Sequence, residues 1–97
     1  MYGLIGKIIA VTGKREELVD ILIEGIAGMP GCLSYIVAED QTDPDAIWVT
    51  EVWEDHDSHH RALAIPSVQK AINNGKPLIA GFGERCETTP IGGCGLR

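Results

Sequence analysis

The sequence has few cysteines and few basic residues, and each scarcity excludes a class of protein. Its three cysteines, Cys32, Cys86 and Cys94, are an odd number with no C-x-x-C pair, which fits neither a disulfide framework nor a zinc knuckle. A reducing cytoplasm is the simplest interpretation, with Cys94 as an exposed free thiol in a glycine-rich tail. Eight Lys and Arg against 14 Asp and Glu give a net charge of −6. No nucleic-acid or anionic membrane partner is therefore expected.

Long apolar runs are also missing from the chain. No segment reaches the roughly 18–20 consecutive apolar residues that a membrane span requires, and the first residues lack the pattern of a signal peptide. Apolar side chains are nevertheless plentiful, at 44% of 97 residues. A chain of this length is expected to form one domain, residues 1–97, that buries roughly 60–65% of its unfolded surface. These quantities indicate a small, acidic, soluble globular protein.

Apolar periodicity predicts four strands and two helices. In chain order they are strand 2–11, helix 14–28, a hairpin of strands 32–39 and 46–54, helix 55–74, strand 78–87 and an irregular tail, 89–97. Thr12 is expected to cap the first helix and Asp55 or Asp57 the second, which Pro66 should kink or divide. The order β-α-β-β-α-β is typical of the ferredoxin-like fold. It is an α+β fold with two helices on one face of a four-stranded antiparallel sheet.

Both faces of the predicted sheet are apolar. In the third strand Val49 and Trp53 point to one side, whereas Trp48 and Val52 point to the other. Two helices can cover only one face, and a solvated face would carry polar residues at alternate positions. The sequence therefore predicts a homodimer in which the two sheets pack together.

All three histidines lie in the segment Asp55–His60. His56 and His60 are one helical turn apart and could share a metal ion. Metal sites usually draw ligands from several elements, however, and no distant His or Cys pair accompanies these two, so no metal is expected. His59 shares a helix face with Leu63 and should point at the sheet, either as a base or as a histidine satisfied within the core.

Glu51 and Trp53 lie on the same side of the third strand, so a carboxylate faces the same way as a large aromatic ring. Under the helices this carboxylate would need a partner or have a raised pKa. At the edge of the sheet it would instead pair with Arg85 or Lys7. Two further aromatic residues, on neighbouring strands, are expected to line the same cavity: Tyr35 and Phe82.

The segments Met29–Tyr35 and Glu51–Asp55, followed by a helix that contains Pro66, resemble the antibiotic-biosynthesis monooxygenase family, which includes quinol monooxygenases. The closing segments 77–82 and 90–93 are similar to one subgroup of quinol monooxygenases in particular. The resemblance spans nearly the whole chain. It implies ferredoxin-like units that associate as a dimeric α/β barrel, in agreement with the pattern derived above.

The resemblance implies oxygenation of a small aromatic, quinol or polycyclic phenolic substrate by O₂, with no flavin, haem or metal cofactor. It matches Trp53 to the family's pocket tryptophan and Glu51 to its strand carboxylate. Many members carry a histidine nine positions after that tryptophan; here Ala62 stands there, and His59 is the candidate base. Haem-degrading relatives use an asparagine on the first strand, which this sequence lacks. The substrate-binding residues expected around these catalytic ones are Tyr35, Phe82, Val49 and Leu63.

Other functions are compatible with the same fold and cavity. One is a dimeric module, such as a stress protein, that binds a small apolar ligand without catalysis. Another is an isomerase, which would need no oxygen. Fold alone does not decide among these functions, because one scaffold carries many kinds of site.

Overall fold

The computed structural model describes residues 1–26 and 28–96. Ala27, within the predicted first helix, and Arg97, at the end of the predicted tail, lie outside the described residues. The elements follow the predicted order. They are β1 (Tyr2–Ala10), α1 (Arg15–Gly25), β2 (Cys32–Glu39), β3 (Ala46–Trp53), α2 (His56–Ala62), α3 (Pro66–Gly75), a 3₁₀ turn (Lys76–Leu78) and β4 (Ile79–Thr88).

The four strands form one antiparallel sheet in the order β2-β3-β1-β4. Isoleucine and valine are frequent in these strands because branched side chains pack well on a pleated surface. β1 pairs with β3 from end to end, with Tyr2 opposite Trp53. β2 and β3 form the predicted hairpin, and the Asp40 carboxylate accepts backbone hydrogen bonds within its turn. The strand order and the helical crossovers confirm the α+β ferredoxin-like fold.

The helices cover one face of the sheet, which we call the inner face; it carries Leu4, Ile8, Val49, Glu51 and Trp53. The core beneath α1 is made of small and branched side chains, Ala10, Leu18, Ile47 and Val49. Burial of a branched aliphatic side chain contributes roughly 1.5–3 kcal/mol, so this cluster is a main source of stability. α1 also contacts α3, where Gly25 lies directly against Ala71.

The opposite face of the sheet, the outer face, carries Ile5, Ile36, Trp48 and Val52. Ile36 is 55% exposed in the single chain. Lys7 lies over the Trp48 ring, with its Nζ atom 5.5 Å from the ring centre. Both faces therefore carry apolar side chains, as predicted, and the helices cover only one of them. Among the described residues, no helix is long and apolar enough to cross a membrane.

Two of the element ends that differ from the sequence prediction do so because a turn comes between elements. Thr12 does not cap α1: Lys14 stands at the cap position without a side-chain hydrogen bond. Gly13, with a φ of 81°, forms a turn between strand and helix, so Thr12 comes too early to reach the helix amides. β4 begins at Ile79 rather than at residue 78, because the 3₁₀ turn precedes it.

Pro66 divides the predicted second helix, which was one of the two outcomes expected of it. α2 ends at Ala62 and α3 begins at Pro66, since proline lacks an amide hydrogen and suits the first position of a new helix. Asp55, not Asp57, caps α2, and its carboxylate accepts a hydrogen bond of 2.7 Å from the Ser58 amide. This bond lowers the pKa of Asp55. The cap fixes where α2 starts, and hence which of its side chains face the sheet.

Candidate active site

A cavity of about 300 Å³ lies between the inner face and the helices. Its wall is largely apolar and includes aliphatic side chains from α1 and α3. Five of its lining residues carry polar side-chain groups: Tyr35, Glu51, Trp53, His59 and Lys76. An apolar pocket with a few polar groups is the usual form of a site for a small organic molecule.

Glu51 and Trp53 both face this cavity, because residues two apart in a strand share a face. Trp53 is 1% exposed, and its indole N–H donates a 3.0 Å hydrogen bond to Oε1 of Glu51. Burial raises the pKa of Glu51, against the opposing effects of that hydrogen bond and of the Arg85 charge. Among the described residues, no ion pair joins Glu51 to Arg85 or Lys7. The edge pairing considered from the sequence is therefore wrong.

His59 points from α2 towards the sheet, as predicted. Its Nε2 lies 3.8 Å from Oε1 of Glu51, and its ring centre lies 5.4 Å from that of Trp53 in an edge-on arrangement. Burial, and then the charge of His56, lowers the pKa of His59 from the ordinary 6.5. Because burial favours the neutral forms of both His59 and Glu51, their contact is not a strong ion pair. At pH 7 the imidazole is mainly neutral and can accept a proton.

The four residues expected to bind substrate occupy different depths. Tyr35 lines the cavity beside Glu51, its partner across the strands, and burial raises the pKa of its hydroxyl, which stays protonated. Leu63 and Phe82 also line the cavity but are 44% and 74% exposed, which places them at its mouth. Val49 lies deeper, in the core beneath α1, and reaches a second, adjoining cavity instead.

Two residues near the site were missed in the sequence analysis, Tyr2 and Glu87, and Arg85 was considered there only as a partner for Glu51. The Tyr2 ring lies 5.6 Å from that of His59, and its hydroxyl donates a 2.6 Å hydrogen bond to Glu87. The pairing of strand ends could have indicated Tyr2, since it lies opposite Trp53. A β-bulge between Gly6 and Ile8 places Arg85 on the inner face, which the sequence does not indicate.

The remaining candidate residues, His56 and the three cysteines, do not form a further catalytic or metal-binding cluster among the described residues. His56 packs edge-on against the Tyr2 ring, with 4.9 Å between ring centres. Within residues 1–26 and 28–96, no three His, Cys, Asp or Glu side chains are arranged to hold a metal ion. Cys86 and Cys94 are exposed thiols, and burial raises the pKa of the half-buried Cys32, which disfavours its reactive thiolate.

Comparison with known proteins identifies relatives that share this architecture. The family profile of antibiotic biosynthesis monooxygenase matches residues 1–74. A candidate antibiotic biosynthesis monooxygenase from Chloroflexus aurantiacus J-10-fl is 57% identical, with a TM-score of 0.97, over 99% of this chain and 98% of that one. Another, from Deinococcus radiodurans, is 26% identical, with a TM-score of 0.78, over 96% and 95% of the two chains. A Pseudomonas aeruginosa protein, 21% identical over 94% of each chain with a TM-score of 0.80, shares the fold. No curated protein matches significantly.

The matched region contains most of the candidate site. Residues 1–74 run from β1 to near the end of α3 and include Glu51, Trp53 and His59. β4, with Phe82 and Arg85, lies beyond that region but within the alignment to the Chloroflexus protein, which covers almost the whole chain. The chain belongs to the antibiotic biosynthesis monooxygenase family.

Proposed function

We propose that this protein is a cofactor-independent monooxygenase that oxidises a quinol or polycyclic phenolic substrate with O₂. The observation that carries the proposal is the position of His59, whose ring stands 5.4 Å from Trp53 inside a largely apolar cavity. An imidazole that is neutral at pH 7 is suited to remove a phenolic proton. Membership of the family supports the reaction type.

The proposed reaction needs no external reductant. His59 accepts the phenolic proton, and the resulting electron-rich anion reduces O₂ directly. A carbon–oxygen bond forms at a ring carbon that carries hydrogen, and the peroxide takes the proton back from His59. Loss of water then leaves a carbonyl group at that carbon. In total the substrate gains one oxygen atom and loses two hydrogen atoms, and the second oxygen atom leaves as water.

The remaining site residues position the substrate and limit the access of water. Trp53 and Tyr35 offer ring faces or edges against which an aromatic substrate can pack. Phe82 and Leu63, at the mouth, close the cavity around such a substrate, and Val49 supports the floor. Glu51 orients His59 or the substrate. Exclusion of water protects the anion and the peroxide from side reactions.

We also propose that the protein works as a homodimer joined through the outer faces. Ile5, Ile36, Trp48 and Val52 leave that face apolar in one copy, and a second sheet is the covering that fits it. The active sites then lie on the two distant sides of the dimer, one beneath each helix layer.

Oxygen uptake tests the proposed activity. Metal-stripped protein is assayed in an oxygen electrode with hydroquinones and dihydroxynaphthalenes, and the rate without protein is subtracted. The expected result is uptake that His59→Gln reduces by about 10²–10⁴-fold, the usual contribution of a general base. His60→Gln, the same substitution on the exposed side of α2, should leave the rate unchanged. Binding of these compounds without any uptake would favour a ligand-binding module instead.

A further inference from the structure

Gly6 occupies a strand position where glycine needs an explanation. Glycine weakens a strand because it costs conformational entropy and has no side chain to pack. Gly6 has no positive φ, and a Cβ atom built on it would meet nothing within 4 Å. Neither backbone conformation nor a close neighbour requires glycine here. What the residue provides is open space on the inner face.

That space belongs to a second cavity, of about 210 Å³. Gly6 and Arg85 both line it, and Ile8, Tyr35, Glu51 and Phe82 line both this cavity and the larger one. The smaller cavity therefore extends the larger one across the sheet towards β4. A ring held against Tyr35 and Phe82 can reach over Gly6 without leaving the site.

Arg85 stands directly across from Gly6 in the pairing of β1 with β4. The neighbouring carboxylates are already engaged: Glu51 accepts from the Trp53 indole, and Glu87 accepts from the Tyr2 hydroxyl. Among the described residues the Arg85 guanidinium has no ion pair within 4.0 Å. Its hydrogen-bond donors therefore remain available to a ligand in the smaller cavity.

The charge of the whole chain makes a local cation useful. With a net charge of −6, the protein repels an anionic ligand unless the site itself supplies positive charge. Arg85 lines the smaller cavity with Glu51 beside it, whereas the ammonium group of Lys7 lies on the outer face over the Trp48 ring. Guanidinium groups suit this task because they stay charged and present several donors in a plane.

We propose that Gly6 and Arg85 form an anion subsite, in which the guanidinium binds the phenolate oxygen of an aromatic ligand whose ring lies over Gly6. The inference deepens the proposed function and rests on it for the nature of the substrate. It assigns the phenolic oxygen that His59 deprotonates to a position beside the Arg85 guanidinium. Arg85 thereby lowers the cost of forming that anion.

Equilibrium binding of a phenol that O₂ does not oxidise tests the subsite apart from catalysis. The probe is 4-nitrophenol, whose phenolate form is coloured, and 4-nitroanisole serves as its neutral analogue. The wild-type protein should bind the phenolate more tightly than the analogue. Arg85→Gln should weaken phenolate binding by about 10- to 100-fold, the effect of one hydrogen bond to a charged group, and leave the analogue unchanged. Lys70→Gln, which removes an equal charge from the exposed side of α3, should change neither affinity.

Gly6→Val provides the complementary test, because it fills the open space without straining the backbone. It should weaken both ligands while circular dichroism stays that of the folded protein. Equal affinity of the wild-type protein for phenolate and analogue, or unchanged phenolate binding by Arg85→Gln, would overturn the subsite even if oxygen uptake is observed. If the protein consumes no oxygen but still binds the phenolate more tightly than the analogue, and Arg85→Gln abolishes that preference, the subsite is supported and the monooxygenase activity is rejected.

Discussion

The acid–base character of His59 and Glu51 comes from their surroundings rather than from their residue types. Burial lowers the pKa of His59 and raises that of Glu51, so each is shifted towards its uncharged form. Asp55 is a carboxylate with the opposite shift, because it is exposed and accepts the Ser58 amide hydrogen bond. Two acidic residues four positions apart therefore differ in chemistry because one faces the cavity and the other caps a helix.

The pH dependence of oxygen uptake should report the lowered pKa of His59. The base form is the neutral imidazole, so kcat/KM should rise with pH through a value below 6.5 and level off above that value. The measurement is kcat/KM from pH 5 to 8 with a substrate that does not titrate in that range. In the His59→Gln variant this rise of kcat/KM with pH should disappear. A rise in kcat/KM that is centred above pH 6.5, or one that persists in His59→Gln, would contradict the role of His59 as the base.

Sequence alone could place some of these residues but not their contacts. The alternation of β3 put Glu51 and Trp53 on one face, and helical spacing pointed His59 at the sheet; both placements are observed. Phe82 and Arg85 are three positions apart, which in a regular strand means opposite faces. A β-bulge between Gly6 and Ile8 adds a residue to β4 and brings both side chains to the inner face. A single sequence carries no pattern that predicts where such a β-bulge occurs.

At the scale of elements, the strands were more predictable than the helix ends. Short apolar runs bounded by turn residues predicted every strand to within one or two residues. The failure at Thr12 has a specific cause, since a capping residue is recognised by type while the intervening turn depends on a glycine φ of 81°. Pro66 was informative because its missing amide hydrogen constrains a helix directly.

The contact between α1 and α3 depends on the absence of a side chain at Gly25. In an ordinary helix Gly→Ala stabilises by up to about 1 kcal/mol. Here the new methyl group would press on Ala71, so Gly25→Ala should instead lower the free energy of unfolding by about 1–2 kcal/mol. Urea unfolding at one fixed protein concentration measures this change.

Two matched variants make that measurement specific to the helix contact. Gly6→Ala places the same methyl group where nothing lies within 4 Å, on the face of the sheet away from the proposed dimer contact, and it should leave stability unchanged or slightly raised. Adding Ala71→Gly to Gly25→Ala should restore part of the loss, because the two residues touch. A stabilised Gly25→Ala variant would mean that α1 and α3 pack less closely than observed.

At the scale of the whole molecule, the chain is too short to hide all of its apolar surface alone. Its three helices cover only the inner face, yet Trp48 and Val52 point outward with Ile5 and Ile36. The sequence predicts apolar side chains on both faces, because both sets of alternate positions in β3 contain large apolar residues. The register and curvature of the sheet decide how a second copy fits against it. Both depend on the bulges of β4, which the sequence does not predict.

The proposed dimer can be tested with two isoleucines that are almost equally exposed in one copy. Ile36 on the outer face is 55% exposed, and Ile23 on α1 is 52% exposed. Light scattering at micromolar concentration should give the wild-type protein twice the 10.4 kDa mass of one chain. Ile36→Glu should give the monomer mass, because it would bury a carboxylate from each copy without a partner. Ile23→Glu should leave the dimer intact, since α1 lies on the other side of the sheet. A monomeric wild-type protein, or a dimer that only Ile23→Glu disrupts, would contradict association through the outer faces.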